Sequence, residues 1–179
     1  MSFKLFFSAI VLLLVVSSCR GRLEKHGELF ADMMKNEDGL FRGVNIGDDP
    51  DQVQRAEGIA PSDFNQNVYS YDGSIGESGT YTIRYGFENG KVYEILVSAT
   101  FDENAEGLNM LNGFRDYYNE VYGQYEKEGG YLVWKTKSNS EIPDVMIEMV
   151  DESEFSDFGQ FSLSMYHQLP PAKQVPLNQ

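Results

Sequence analysis

Side chains that usually carry catalysis are sparse here and stand apart from one another. The chain has only two histidines, His26 and His167. Neither has a nucleophile motif beside it, so each reads as a polar surface or strand-edge residue rather than a base. Gly73-Ser74-Ile75-Gly76 has neither the spacing nor the following helix of a nucleophile elbow. Zinc is a poor fit, because nitrogen and sulfur ligands are too few. Calcium has more to offer it: Asp102-Glu103-Asn104-Ala105-Glu106-Gly107 begins like an EF-hand loop, with oxygen ligands at positions 1, 3 and 5 and glycine at 6. Position 12, however, is Gly113, and helix capping accounts for the same residues without a metal. Asp48, Asp49 and Asp51 flank a helix N-terminus, where carboxylates are stabilising. Asp151-Glu152-Ser153-Glu154 with Asp157 reads as a solvated loop, with calcium as the alternative. The remaining reactive group is the thiol of Cys19, the single cysteine.

The surroundings of Cys19 say what that thiol is for. Lys4 forms a positive n-region, Leu5 to Val16 an apolar h-region, and Ser17-Ser18 a small-residue cleavage site. Twelve apolar positions fall short of the ~20 needed to span a bilayer as a helix. Residues 1–18 are therefore expected to be a removable signal. Val16-Ser17-Ser18-Cys19 resembles the lipobox of bacterial lipoproteins. That resemblance implies a diacylglyceryl group on the Cys19 thiol, cleavage before Cys19 and acylation of the new amine. Arg20-Gly21-Arg22 lacks an acidic surface-export cluster, so the periplasmic side of the outer membrane is the expected location.

Charge narrows the partners further. The chain has 14 Lys plus Arg against 28 Asp plus Glu, and losing Lys4 with the signal leaves 13 against 28, a net charge of −15. Such a surface repels nucleic-acid phosphates and anionic headgroups, so neither nucleic acid nor polybasic-style membrane binding is expected. With the sole cysteine acylated there are no intramolecular disulfides, and an apolar core must hold the fold. The mature length suits one domain of ordinary size, or two very small units sharing a core.

The elements follow from periodicity. Residues 19–42 read as a lipidated tether with a short helix whose stripe is Leu29, Phe30, Met33 and Met34, lying on the bilayer or docked on the domain. A helix over 50–57 is written sharply, with Asp49 as N-cap, Pro50 at N1, Gln52 at N3 and Gly58 at C′, burying Val53 and Ala56. Strands are predicted at 67–72, ended by Asp72-Gly73, at 80–88, and after the Asn89-Gly90 turn through Phe101. A two-residue loop there would oppose Tyr85 to Glu94 and mix the faces. A three-residue loop with Gly90 as a G1 bulge, opposing Tyr85 to Tyr93 and Ile83 to Ile95, is therefore expected. A helix over 105–124, capped by Asp102 or Asn104, carries Leu108, Leu111, Phe114, Tyr118, Val121 and Tyr122 on its apolar stripe and stops at Gly123. Strands at 131–136, 145–150 and 159–167 complete the domain, 43–167, and the Pro-rich tail from Gln168 to Gln179 is expected to be disordered.

Helix, three strands, helix, three strands suggests a duplicated unit, about 43–102 and 103–167. Ile46-Gly47-Asp48-Asp49-Pro50-Asp51-Gln52-Val53, followed by Gly58-Ile59-Ala60-Pro61, resembles the repeat of the small lipoprotein of the outer-membrane β-barrel assembly machinery. Val121-Tyr122-Gly123-Gln124-Tyr125 and Tyr131-Leu132-Val133-Trp134-Lys135 are similar to the helix end and tryptophan-bearing strand of tandem domains with the β-lactamase-inhibitor-protein-like fold. The resemblance implies an α+β domain, an antiparallel sheet with helices on one face and the other face free for a protein partner. Eleven Tyr and twelve Phe exceed what the predicted cores need. Tyr117, Tyr125, Tyr131 and Tyr166 fall off the apolar stripes and are the candidate partner-binding residues, or else the cover of sheet edges.

The expected function is thus a non-catalytic, cofactor-free, lipid-anchored envelope protein that binds another protein as assembly factor or adaptor. The rival is a periplasmic inhibitor or immunity protein that masks a basic enzyme or toxin. Cys19→Ser tests the anchor: it should abolish lipid labelling and release the mature domain into the soluble fraction, and unchanged labelling would refute the assignment.

Overall fold

The computed structural model describes residues 21–136, 144–153 and 158–167. The signal with Cys19, the tail from Gln168, and Glu154 with Asp157 lie outside the described residues. The fold is α+β: an eight-stranded sheet, antiparallel at every pairing, with helices packed on one side. In chain order the elements are α1 (Glu28–Met34), α2 (Pro50–Glu57), β1 (Asp63–Phe64), β2 (Val68–Ile75), β3 (Gly79–Glu88), β4 (Lys91–Phe101), α3 (Asn104–Tyr122), β5 (Glu126–Glu128), β6 (Tyr131–Lys135), β7 (Val145–Asp151) and β8 (Gly159–His167). Strand order is β1-β2-β3-β4-β8-β7-β6-β5. The chain leaves the centre at β4, crosses on α3 to the far edge, and returns strand by strand to lay β8 against β4. That path obliges α3 to cover one half of the sheet, where it packs on β4, β8 and β6.

Local chemistry sets α2 as expected. The Asp49 carboxylate accepts from the Gln52 N–H at 2.9 Å, Pro50 opens the helix, and Gly58 closes it at φ 69°. Val53 is buried, but Ala56 is only half-buried, and the other fully inward residue is Glu57. The amphipathic stripe of α1 docks on the domain, with Phe30, Met33 and Met34 buried and Leu29 partly so. The domain also begins earlier than the predicted tether allowed, since Leu23 already joins the core.

Three expectations about register and stripe are corrected. The β3–β4 turn is the two-residue loop: Asn89 and Gly90 are both left-handed (φ 53° and 72°), and Glu88 pairs with Lys91. The extra residue sits further in, at a bulge between Gly86 and Phe87. Phe87 therefore opposes Val92, and beyond the bulge Tyr85 opposes Ile95 and Ile83 opposes Val97. The bulge restores the apolar phase that a plain two-residue loop would have lost. Val92 is buried while Tyr93 turns outward. Secondly, β2 runs through Asp72-Gly73 to Ile75. Gly73 is there for space: a Cβ at that position would lie 2.4 Å from the Tyr81 ring. Thirdly, neither Asp102 nor Asn104 caps α3. Its N-cap is Glu103 without a side-chain bond, and Leu108 and Val121 are exposed while Gly107, Met110 and Tyr117 are buried. The buried stripe is rotated because Gly107 touches the Gly159 main chain and Gly113 the α1 segment, approaches that a Cβ would block at 2.8 and 2.6 Å.

Aromatic rings run through the core from α1 to the sheet. Phe114 is edge-on to Phe30 at 4.9 Å and meets Phe161 of β8 at 5.7 Å, and Tyr118 meets Trp134 of β6 at 5.5 Å. Trp134 Nε1 donates to Asn119 Oδ1 at 3.1 Å, so α3 holds the tryptophan by its polar handle as well.

Inside this apolar layer lies an ion pair. Arg42, in a tight turn at φ 51°, sends its guanidinium inward, where Nη1 donates to Glu57 Oε2 at 2.9 Å and Nε to the Met33 carbonyl at 2.6 Å. The two side chains are 1% and 0% exposed. Glu57 Oε1 accepts from the Tyr85 hydroxyl of β3 at 2.6 Å, and the guanidinium lies 4.9 Å over the Tyr81 ring. Burial and the Glu57 carboxylate push the Tyr85 phenol well above its ordinary value, and the same causes push neighbouring Tyr71 up to about 12.

Removing one member of a buried pair leaves the other charge unpaired, at a cost of ~3–5 kcal/mol, whereas replacing both costs far less. Arg42→Met should therefore lose about that much stability, and Arg42→Met with Glu57→Gln, which keeps an acceptor for Tyr85, should regain most of it. Urea unfolding followed by Trp134 fluorescence is the measurement. A double variant no more stable than the single one would contradict the role given to the pair.

Candidate functional site

Because the helices cover one face, alternation along each strand delivers every second side chain to the other. Across the middle of the sheet those side chains are small. Thr82 of β3, Ser98 of β4 and Ser162 of β8 share one row, and the neighbouring row includes Ser70, Arg84, Leu96, Ser164 and Glu148. The neighbours in sequence (Ile83, Val97, Ala99, Phe161 and Leu163) are buried on the helix side. Small hydroxyl side chains at the centre leave a trough. One concavity of about 360 Å³ lies over Thr82, Arg84, Leu96, Ser98, Ser162 and Ser164, and its floor reaches the main chain at Val97 and Leu163. A second, of about 440 Å³, adjoins it over Asp72, Ser74, Thr80, Thr82, Ser98 and Thr100. Asp72 is held in place by hydrogen bonds from Thr82 at 2.6 Å and Ser62 at 2.7 Å, which keep its carboxyl below the usual range.

Larger side chains rim the trough. Tyr166 stands opposite Glu94, with Tyr93 at the bulge beside it. Burial, then a hydrogen bond to Glu148, pushes the Tyr166 phenol up to about 12. Towards the far edge, Lys135 is clasped by Glu126 and Glu128, each at 2.8 Å, which raises its pKa. Tyr131 lies exposed on the same face, opposite Glu128.

The four candidate tyrosines therefore divide. Tyr131 and Tyr166 share the open face. Tyr117 is 8% exposed, wedged between Phe30 and Tyr118 on the helix side, with its hydroxyl on the Glu37 carbonyl. This corrects its expected position off the apolar stripe: the rotation of α3 that exposed Leu108 buried Tyr117. Tyr125 is half-buried and packs edge-on against Trp134 at 5.8 Å, within the core cluster's margin. Sequence reading passed over Tyr93. The signal was Gly86: a glycine inside a strand marks a bulge or a close approach, and a Cβ there would lie 2.9 Å from the Tyr93 ring.

The sheet's edges invite less. β1 is two residues long, and β5 reads Glu126-Lys127-Glu128, a charged edge of the kind that discourages strand addition. Among the described residues no group of three or more His, Cys, Asp or Glu could hold a metal ion. No described helix is long and apolar enough to cross a membrane. His26 is packed against Phe30 and Tyr117, and burial lowers its pKa; His167 ends β8 opposite buried Val145 and lines a concavity at the strand ends. No family model matches the chain, and no curated protein or solved structure matches it. What the geometry offers chemically is a shallow, hydroxyl-lined trough with an aromatic and acidic rim.

Proposed function

We propose that this chain is a non-catalytic, lipid-anchored protein of the bacterial cell envelope that binds another protein through its open sheet face, as an assembly factor or adaptor. The observation carrying this reading is the division of the sheet: helices and the aromatic core on one side, a trough across β2, β3, β4 and β8 on the other.

Two further features support it. Strands β2-β3-β4 and β6-β7-β8 meet at the β4–β8 seam in mirrored order, each set preceded by a helix. That order suits a duplicated unit of the tandem kind seen in the β-lactamase-inhibitor-protein-like fold and in the assembly-machinery lipoprotein. Also, Cys19 stands two residues before Gly21, within about 7 Å of it even if extended. The segment that follows lies on the helix layer, where Lys25 pairs with Glu120 of α3 at 2.7 Å and Arg22 pairs with Glu37. An acylated Cys19 would hold the helix layer towards the bilayer and present the trough away from it. The inhibitor or immunity reading uses the same face and is favoured by the carboxylates around Tyr166.

A photo-crosslinking residue placed at Ser98 or Ser162 should yield discrete protein adducts in intact envelopes, and one placed at exposed Asn109 of α3 should not. Adducts from Asn109 with none from the open face, or none from any of the three, would overturn the proposal.

A further inference from the structure

The bulge in β4 does more than correct the register. It places Tyr93 on the open face next to Glu94, and Glu94 stands directly across from Tyr166. Here, at the end of the strands, lies a concavity of about 690 Å³ whose wall includes Asn67, Phe87, Glu88, Asn89, Tyr93, Glu94, Tyr166 and His167. Glu148 of β7 stands nearby on the same face, across from Ser164 and one pairing step along the strand from Tyr166. Among the described residues no Lys or Arg lies within ion-pair distance of Glu88, Glu94 or Glu148, whereas Glu126 and Glu128 at the far edge share Lys135.

Two aromatic rings beside unpaired carboxylates form a receptor for an organic cation: the ring faces attract it through their quadrupoles and the carboxylates through their charge. The space is far larger than a bare metal ion needs, and anionic groups are repelled from it. We propose, resting on the adaptor reading above, that this corner receives an arginine or lysine side chain from a basic segment of the protein partner. The cationic group lies against Tyr93 and Tyr166 and pairs with Glu94 and Glu148, while the rest of the segment runs along the hydroxyl trough. Arginine fits better than lysine, because a planar guanidinium stacks on tyrosine and bridges two carboxylates at once.

The test is an amide NMR titration of the full chain in nonionic detergent with three probes: a blocked tetra-arginine peptide, a blocked tetra-glutamate peptide, and spermidine. Tetra-arginine should shift the signals of Tyr93, Glu94 and Tyr166, and tetra-glutamate should not. Glu94→Gln with Glu148→Gln, and separately Tyr166→Ala, should weaken tetra-arginine binding at least tenfold, each with a dispersed, folded spectrum. Asp102→Asn, just past the opposite end of β4 from the corner, should leave it unchanged. Shifts spread evenly over the acidic surface and indifferent to these changes would overturn the site, as would silence at the corner. Spermidine binding there as tightly as tetra-arginine would overturn the choice of a protein segment. Crosslinks from Ser98 or Ser162 without tetra-arginine binding would leave the adaptor reading standing and sink this one, whereas tetra-arginine binding without crosslinks would keep the cation-binding corner and sink the adaptor reading, and with it the choice of a protein partner.

Discussion

An ionised pair survives in an apolar core only when each charge is met by partners on every side, and Arg42 and Glu57 meet that condition through residues drawn from four parts of the chain. The guanidinium is bonded to the end of α1 at Met33, to α2 through Glu57, and covered by Tyr81 of β3; the carboxylate is bonded in turn to Tyr85. Displacing α1, α2 or the 39–44 turn would leave a charge in hydrocarbon, a penalty of several kcal/mol per ion. Generic apolar packing tolerates sliding far better than this. The pair therefore fixes position where the hydrophobic core supplies energy.

From that fixed arrangement the free face follows. With α1 and α2 locked over β2 and β3 and α3 obliged by topology to cross β8 and β6, the apolar surface of all the central strands is covered from one side. The other side of each strand is then relieved of core duty, and its residues need only suit water or a partner. Serine and threonine at its centre, with tyrosine and glutamate at its rim, are a composition that no packing requirement explains. The trough is a consequence of side-chain size: the twist of the sheet alone would give a saddle, and Ser98, Ser162 and Ser164 lower its middle.

Much of this architecture was legible in the sequence where local chemistry decides it. The cap and stop of α2, the alternation in β3 and β8, and the docking stripe of α1 all act over a few residues. What eluded the sequence depends on pairs distant in the chain. Glycines read as a turn, as a calcium-loop position or not at all are spaces for particular partners: Gly73 for Tyr81, Gly107 for Gly159, Gly86 for Tyr93. The three-residue turn with its bulge at Gly90 is replaced by a two-residue turn, and the bulge lies at Tyr93, where Gly86 makes room for it. Glu57 had left a clue, since a carboxylate in the last turn of a helix opposes the helix dipole, and a local rule broken without local compensation points to a distant partner. Of the candidate tyrosines, Tyr131 and Tyr166 reach the open face because strand alternation is reliable. Tyr117 does not, because the rotation of a helix is set by what it rests on.

The central claim, that one face is sealed by helices and the other is open, is tested most directly by brief hydroxyl-radical footprinting of the native chain, read residue by residue by mass spectrometry. Methionine and tyrosine, both fast reporters, are distributed on the two sides. The account predicts rapid modification of Tyr93, Tyr131, Tyr166 and Met146, with Met33, Met34, Tyr71, Tyr85, Tyr118 and Met165 protected until the protein is unfolded. Rapid modification of Met33, Tyr85 or Tyr118 in the native chain, at rates matching Tyr131, would contradict it.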